Sequence, residues 1–161
     1  MKKYYPNTSI TIKEGDLLYS YKINRGTLLV GHLAFIGPND NVFHVNQVKP
    51  NGHIDSLERY SRRHVQGDQL HVLRPNLLSV NGASKWALEN IHQVTRYIFT
   101  WNLKRMSNNY CSKFIWQAFW YGEGVDITGR NLNDSSFAFV FPKDFILDRG
   151  EHFTKKGTFS I

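Results

Sequence analysis

The chain has 161 residues, 41% hydrophobic and 14% aromatic, with a net charge of +7 and a single cysteine. That length suits one domain with its own core, no run reaches the roughly 18–20 apolar residues of a membrane-spanning helix, and one cysteine excludes an internal disulfide. The charge favours anionic partners, but the basic residues are scattered, clustering only at Arg59 to Arg63 and Lys155-Lys156 without the repeated basic–aromatic pattern of a nucleic-acid platform, so nucleic acid is not expected.

The N-terminus, Met1-Lys-Lys-Tyr-Tyr-Pro6, lacks the apolar core of a signal peptide. The chain as given is therefore expected in the cytoplasm, or at the cell wall if an export signal has been removed. Gly15-Asp-Leu-Leu-Tyr-Ser-Tyr21 predicts a strand after a Gly-Asp turn, and Thr27 to Ile36 predicts a second, interrupted by Gly31. Gly37-Pro-Asn-Asp-Asn41 is a dense turn signal, which should join that strand to one near Val42 to Val48 as an antiparallel hairpin. Gln47 to Gly67 mixes Gly, Arg, His and Tyr and suits either a substrate-contacting loop or a solvated connection. Gln69 to Arg74 alternates like a half-buried strand, closed by Pro75.

Ser84 then resembles an N-cap, and Trp86, Leu88, Ile91, Val94, Tyr97, Ile98 and Trp101 recur at helical spacing, predicting a long amphipathic helix. A second helix begins near Tyr110 or Cys111, with Phe114, Ile115, Ala118 and Phe119 on one face, and stops around Gly122-Glu-Gly124. Phe137 to Phe141 predicts the last strand, and Pro142-Lys-Asp144 a turn. Strands, then helices, then a final strand imply an α+β fold: a mainly antiparallel sheet of about five to six strands with two main helices packed on it, in a single domain over 1–161.

Chemistry concentrates at Cys111. A thiol at a helix N-terminus faces free N–H groups and the positive end of the dipole, which favour thiolate and lower its pKa below about 8.5. His32 and His44 lie twelve positions apart, each in a strand-like segment. Against this stands the plainer possibility that a lone cysteine is a small buried apolar residue. His53, His64, His71, His92 and His152 are read as structural or surface residues, and the stripe Trp116, Phe119, Trp120 and Tyr121 as core. Cys111, His32 and His44 could supply three zinc ligands. The paired cysteines of Pro-Cys-x-x-Cys and the His-x-Glu of zinc deaminases do not occur, so neither a metal nor any other cofactor is expected.

The ordered motifs Gly15-Asp-Leu-Leu-Tyr19, Gly31-His-Leu-Ala-Phe-Ile-Gly37, Val42-Phe-His44 and Tyr110-Cys-Ser-Lys-Phe-Ile-Trp116 resemble the circularly permuted branch of the NlpC-type papain-like cysteine hydrolases. The resemblance is to the YiiX/YebB-like group, with the lecithin retinol acyltransferase family as a more distant relative, and spans roughly residues 14 to 148. It implies a permuted papain-like core in which the histidine strands precede the cysteine helix. It also implies Cys111 as nucleophile, His32 as base and His44 as the group orienting His32, with the Cys111 main-chain N–H serving the oxyanion. Many sequences of the group carry glutamate at the third position, so His44 is a departure towards the acyltransferase-like pattern. Tyr97 matches the tyrosine of a Tyr-Asp-x-x-Phe segment that faces the site in the group, although Ile98 and Trp101 replace its other two residues. It is thus a candidate oxyanion or substrate contact, weighed against simple core packing. The implied reaction is hydrolysis of an amide in a cell-wall peptide or similar peptide-like substrate through a thioacyl-enzyme. Thiol-dependent acyl transfer, or lipid amide or ester cleavage, is the alternative, and a non-catalytic ligand-binding module is the reading of another class.

Overall fold

The computed structural model of the chain describes residues 1–21, 31–147 and 151–161. Strands β1 (Leu17–Ser20), β2 (His32–Ile36) and β3 (Val42–Val45) are antiparallel neighbours. Their alternation sends Leu17, Leu33, Phe35, Phe43 and Val45 into one apolar cluster and Leu18, Ala34, Ile36 and Val42 into another, so both faces of the sheet are covered. The portion of the second expected strand at 27–30 lies outside the described residues. Gly37 closes the β2–β3 turn by donating its N–H to the Asn41 carbonyl at 2.8 Å.

The segment Gln47 to Gly67, expected to be a loop, carries strand β4 (Gly52–Asp55) and the short helix α1 (Leu57–Ser61), which Ser56 caps by accepting the Arg59 N–H. Strand β5 (Gln69–Pro75) extends through Pro75 and pairs with β1. The final strand is β8 (Phe153–Ser160), and the six-stranded order is β4-β3-β2-β1-β5-β8, antiparallel at every step. The expected strand at Phe137 to Phe141 is not formed. That stretch runs extended, tied by a lone bridge from Asn102 to Phe137 and by the Ala138 N–H to the Trp101 carbonyl. The sequence pattern misses β8 because it is an edge strand: between Phe153 and Phe159 it exposes Thr154, Lys155 and Lys156, which protect an open edge but break the alternation.

The helix expected from Ser84 to Trp101 is shorter and starts earlier. Helix α2 is Asn81–Asn90, with Ser84 inside it rather than at its cap. The chain then tightens into a 3-10 turn at Ile91–Gln93 and becomes extended, because the N–H groups of Thr95 and Arg96 are taken by the Ser107 carbonyl. Strand β6 (Arg96–Tyr97) pairs in parallel with β7 (Asn108–Asn109), so Tyr97 sits on a strand and not on a helix face. Trp101 is 60% exposed, which shows that the apolar spacing beyond Val94 was not one buried stripe.

Helix α3 (Cys111–Glu123) agrees with expectation and ends at Gly124, whose φ of 69° supplies the left-handed cap. Where a turn was expected after Phe141, Pro142 instead opens the short helix α4 (Pro142–Ile146). Residues Cys111 to Phe119 are all buried, packed on the sheet and on α2. Tyr60 and Tyr5 cover the opposite face of the sheet, the latter donating its hydroxyl to Asp16 at 2.9 Å, which Arg74 also binds. Among the described residues no helix is long and apolar enough to cross a membrane.

The helices α2 and α3 meet at Gly82 and Gly122, backbone against backbone. A Cβ added at Gly122 would lie 2.4 Å from the Gly82 carbonyl group. Alanine normally gains about 1 kcal/mol over glycine inside a helix, but forcing rigid backbone apart costs typically 1–3 kcal/mol or more. Gly122→Ala is therefore expected to lower Tm by roughly 2–8 °C. A thermal unfolding scan showing a rise would mean that the contact yields freely and propensity decides.

Candidate functional site

Cys111 is the first residue of α3, entered from an extended Tyr110, and is 2% exposed. The preceding loop is fixed by side chains on the helix itself. Lys113 donates to the carbonyls of Arg105 (2.6 Å) and Asn108 (2.9 Å), while Gln117 donates to the carbonyl of Leu103 (2.6 Å) and accepts from Asn109 (2.7 Å). Ser112 donates to the Val140 carbonyl at 2.6 Å, drawing the 137–141 segment over the helix start. The β2–β3 ladder is in register only at Phe35 with Phe43 and Ile36 with Val42, leaving the His32 end of β2 open. There the Leu33 main-chain N–H points at the Cys111 sulfur, joined by donors from Ser112 and the N–H of Cys111 itself. The sulfur thus lies beside the peptide unit that links His32 to Leu33.

Burial dominates the thiol. It raises the Cys111 pKa above the ordinary value, and the surrounding N–H donors offset that only in part. The expected depression by the helix N-terminus is overturned: with 2% of the residue exposed, desolvation of the thiolate outweighs the dipole. His32 behaves in parallel. Burial, then the nearby His44, His64, Arg63 and His53, push its pKa well below the ordinary histidine value. Thiol and imidazole therefore both rest neutral at pH 7. They are not joined by a hydrogen bond, and His32 Nδ1 is buried without a partner.

His32 and His44 share the sheet face opposite α3, as their even spacing across the hairpin predicts, with ring centroids 5.9 Å apart and nearly perpendicular. The expected hydrogen bond between the two rings is not made. His44 Nδ1 is also buried and unpartnered, and its Nε2 instead meets Asp55 Oδ2 at 2.7 Å. Burial keeps His44 neutral, with its pKa lowered to about 4 despite the opposing pull of Asp55, so the contact is an N–H donated to a carboxylate. Desolvation would raise the Asp55 pKa, but hydrogen bonds from Arg63 and His44 outweigh it and hold it below the usual value. Arg63 Nε lies 2.7 Å and Arg59 Nε 3.2 Å from that carboxylate.

Sequence reasoning missed this chain beyond His44. Asp55 alternates with His53 in Gly52-His-Ile-Asp55, and Arg59 and Arg63 stand one helical turn apart on the following segment, a pattern legible as a strand facing a basic helix. His53 stacks on His44 at 4.9 Å, and Tyr60 lies against His32, His44 and His64. Tyr97, paired in register with Asn109 two residues before Cys111, has a buried hydroxyl without a partner. Burial and the proximity of Cys111 raise its pKa, so it remains an O–H donor.

The linkage is testable. Unfolded histidine binds a proton near pH 6.5, whereas folded His44 binds one only near pH 4. Between those values the unfolded chain holds more protons, so stability falls as pH drops through that window, by about 3 kcal/mol for His44 alone at 1.36 kcal/mol per unit. The Asp55 contribution has the opposite origin: it is present above the unfolded carboxylate value and is lost as pH falls below about 4. Denaturant unfolding from pH 7.5 to 4 is expected to show the loss, and His44→Gln to flatten the slope between 6.5 and 4. An unchanged slope in that variant would mean that His44 titrates normally.

No protein-family model matches the chain, and no curated protein is similar to it in sequence. Among solved structures, the metalloprotein YiiX from Escherichia coli O157:H7, of the group DUF1105, is similar with a TM-score of 0.59 and 12% sequence identity, over 92% of this chain and 98% of that one. The chain has a YiiX-like fold.

Proposed function

We propose that the chain, as one permuted papain-like domain over 1–161, is a cysteine hydrolase that cleaves an amide bond in a peptide-like substrate through a thioacyl-enzyme. The observation that carries this reading is the Cys111 sulfur set at a helix start beside the Leu33 N–H, one residue after His32. As the sulfur attacks the carbonyl carbon, its proton passes to His32, and the neutral resting pair makes His32 a general base rather than half of a preformed ion pair. The oxyanion is met by the Cys111 N–H, with the Tyr97 hydroxyl a second donor on hand. Collapse breaks the C–N bond, and the departing amine takes the proton from His32. Water then attacks the thioester carbon, gives a proton to His32, and releases the acid while sulfur recovers its proton.

His44 acts through His32 as a positioning residue by packing its ring edge-on at 5.9 Å, with Asp55 behind it. A neutral histidine stabilises imidazolium less than a carboxylate would, and Asp55, one ring removed, supplies that negative charge. The similar YiiX structure is described as a metalloprotein. Among the described residues here, no three His, Cys, Asp or Glu side chains converge to hold a metal, and His44 Nε2 is engaged by Asp55. The residues do not fit a metal, and no step runs through one.

A second reading, acyl transfer or lipid amide or ester cleavage, is favoured by the apolar surface beside the helix start, where Trp101 is 60% and Phe137 77% exposed and Phe139 contacts Trp101. Trapping separates the two. Incubation with cell extract, followed by intact-mass measurement, is expected to show an adduct on Cys111 of peptide-acyl mass, absent in Cys111→Ala and formed about 100-fold or more slowly in His32→Ala. A fatty-acyl mass would select the second reading, and no adduct with any amide or ester would leave a binding module. Alkylation by iodoacetamide is expected to be slow at pH 7 and to rise only above the pH at which an ordinary thiol, of pKa about 8.5, ionises.

A further inference from the structure

An open groove of about 300 Å³ lies between the β3–β4 connection and β6, lined by Gln47, Lys49, Asn51, Arg96, Tyr97 and Ile98. Its volume is at the lower end of the range for small-ligand sites. Two of its residues are cations, and no Asp or Glu lines it. Lys49 Nζ is steadied by the Thr95 carbonyl at 2.7 Å, an uncharged contact, and Arg96 makes no ion pair among the described residues. Asn51 is 2% exposed. Its amide nitrogen is committed to the Asn46 carbonyl, while its Oδ1 is buried without a donor. Tyr97 belongs both to this wall and to the surroundings of Cys111, close enough that a thiolate there would raise its pKa.

These features specify a ligand. Two cations without a carboxylate partner call for an anion, and a guanidinium suits a planar carboxylate in two-point contact. A buried carbonyl-type acceptor calls for an N–H. We propose that the groove is a subsite for a carboxylate-bearing residue of a peptide-like substrate, with Arg96 and Lys49 on the carboxylate and Asn51 Oδ1 on an amide N–H, beside the bond presented to Cys111. The last clause rests on the thiol-hydrolase reading; the binding chemistry does not.

Two measurements keep those apart. In NMR titrations of the whole chain, N-acetylglycine is expected to shift the Asn51 side-chain amide and the Arg96 guanidinium signals, and neutral N-acetylglycinamide to bind roughly tenfold more weakly. Arg96→Glu, a change at an exposed position, should abolish that preference, whereas Arg62→Glu, on α1's far end and paired with Glu58, should retain it. Equal binding of the two probes, or a preference unchanged in Arg96→Glu, overturns the subsite. Separately, acylation of Cys111 by mono-p-nitrophenyl succinate and by p-nitrophenyl acetate gives a rate ratio, expected to fall about tenfold in Arg96→Glu. A ratio indifferent to that change also overturns the proposal as a substrate subsite. Failure of both esters to acylate Cys111 counts against the hydrolase reading, while the titration still decides what the groove binds.

Discussion

A helix buried on nearly every side imposes the main constraint on this structure. From Cys111 to Phe119, α3 exposes almost nothing, yet it carries Ser112, Lys113 and Gln117. Each buried polar group must find partners or destabilise the fold. The partners are main-chain carbonyls of the neighbouring irregular segments: Val140 for Ser112, Arg105 and Asn108 for Lys113, Leu103 for Gln117. The requirement that satisfies the helix therefore also orders the loops around its N-terminus, which the apolar core alone would leave loose. The cost is visible at Lys113, where desolvation lowers the ammonium pKa to about 8.

Electrostatics on the opposite face of the sheet follow the same logic at higher stakes. His32, His44 and His64 gather around Tyr60 with His53 stacked on His44; Asp55, together with Arg63, serves His44, while Asp68 lies 3.6 Å from His64. Burial keeps His32 and His44 uncharged, which lets them sit 5.9 Å apart without like-charge repulsion. A proton on His32 would be a charge in a dry place, and the described carboxylate behind it is Asp55, bound to the neighbouring His44. Arg63 limits how far the carboxylate can help, since it already neutralises part of that charge.

Where burial and periodicity coincide, the sequence was a good guide. The hairpin around Gly37–Asn41, strand β5, and α3 with its Gly124 cap all follow from alternation or from helix signals. The misses share a cause, which is tertiary context overriding local pattern. Trp86 to Trp101 has helical spacing, but Ser107 captures the N–H groups of Thr95 and Arg96 and the chain leaves the helix. Phe137 to Phe141 reads as a strand, yet its contacts are with the α3 start and with Asn102 rather than with an edge of the sheet. β8 lacks apolar alternation because it has one neighbour and a solvent edge. At the candidate site, Cys111, His32 and His44 were legible from order and spacing. Asp55 was not, since a carboxylate that pairs across strands is defined by register, which no local motif encodes. The helix dipole likewise suggested an acidic thiol, and only the depth of burial could reverse it.

The N–H that faces the Cys111 sulfur belongs to the peptide bond between His32 and Leu33, a planar unit that cannot flex internally. The backbone from which the imidazole projects and the group that faces the thiol are thus one rigid plate. Displacement of β2 therefore carries the His32 backbone and that N–H together. Side-chain rotation of His32 about its own bonds is then the remaining coordinate, a rotamer motion on the picosecond-to-nanosecond scale when unhindered and slower when enclosed as here.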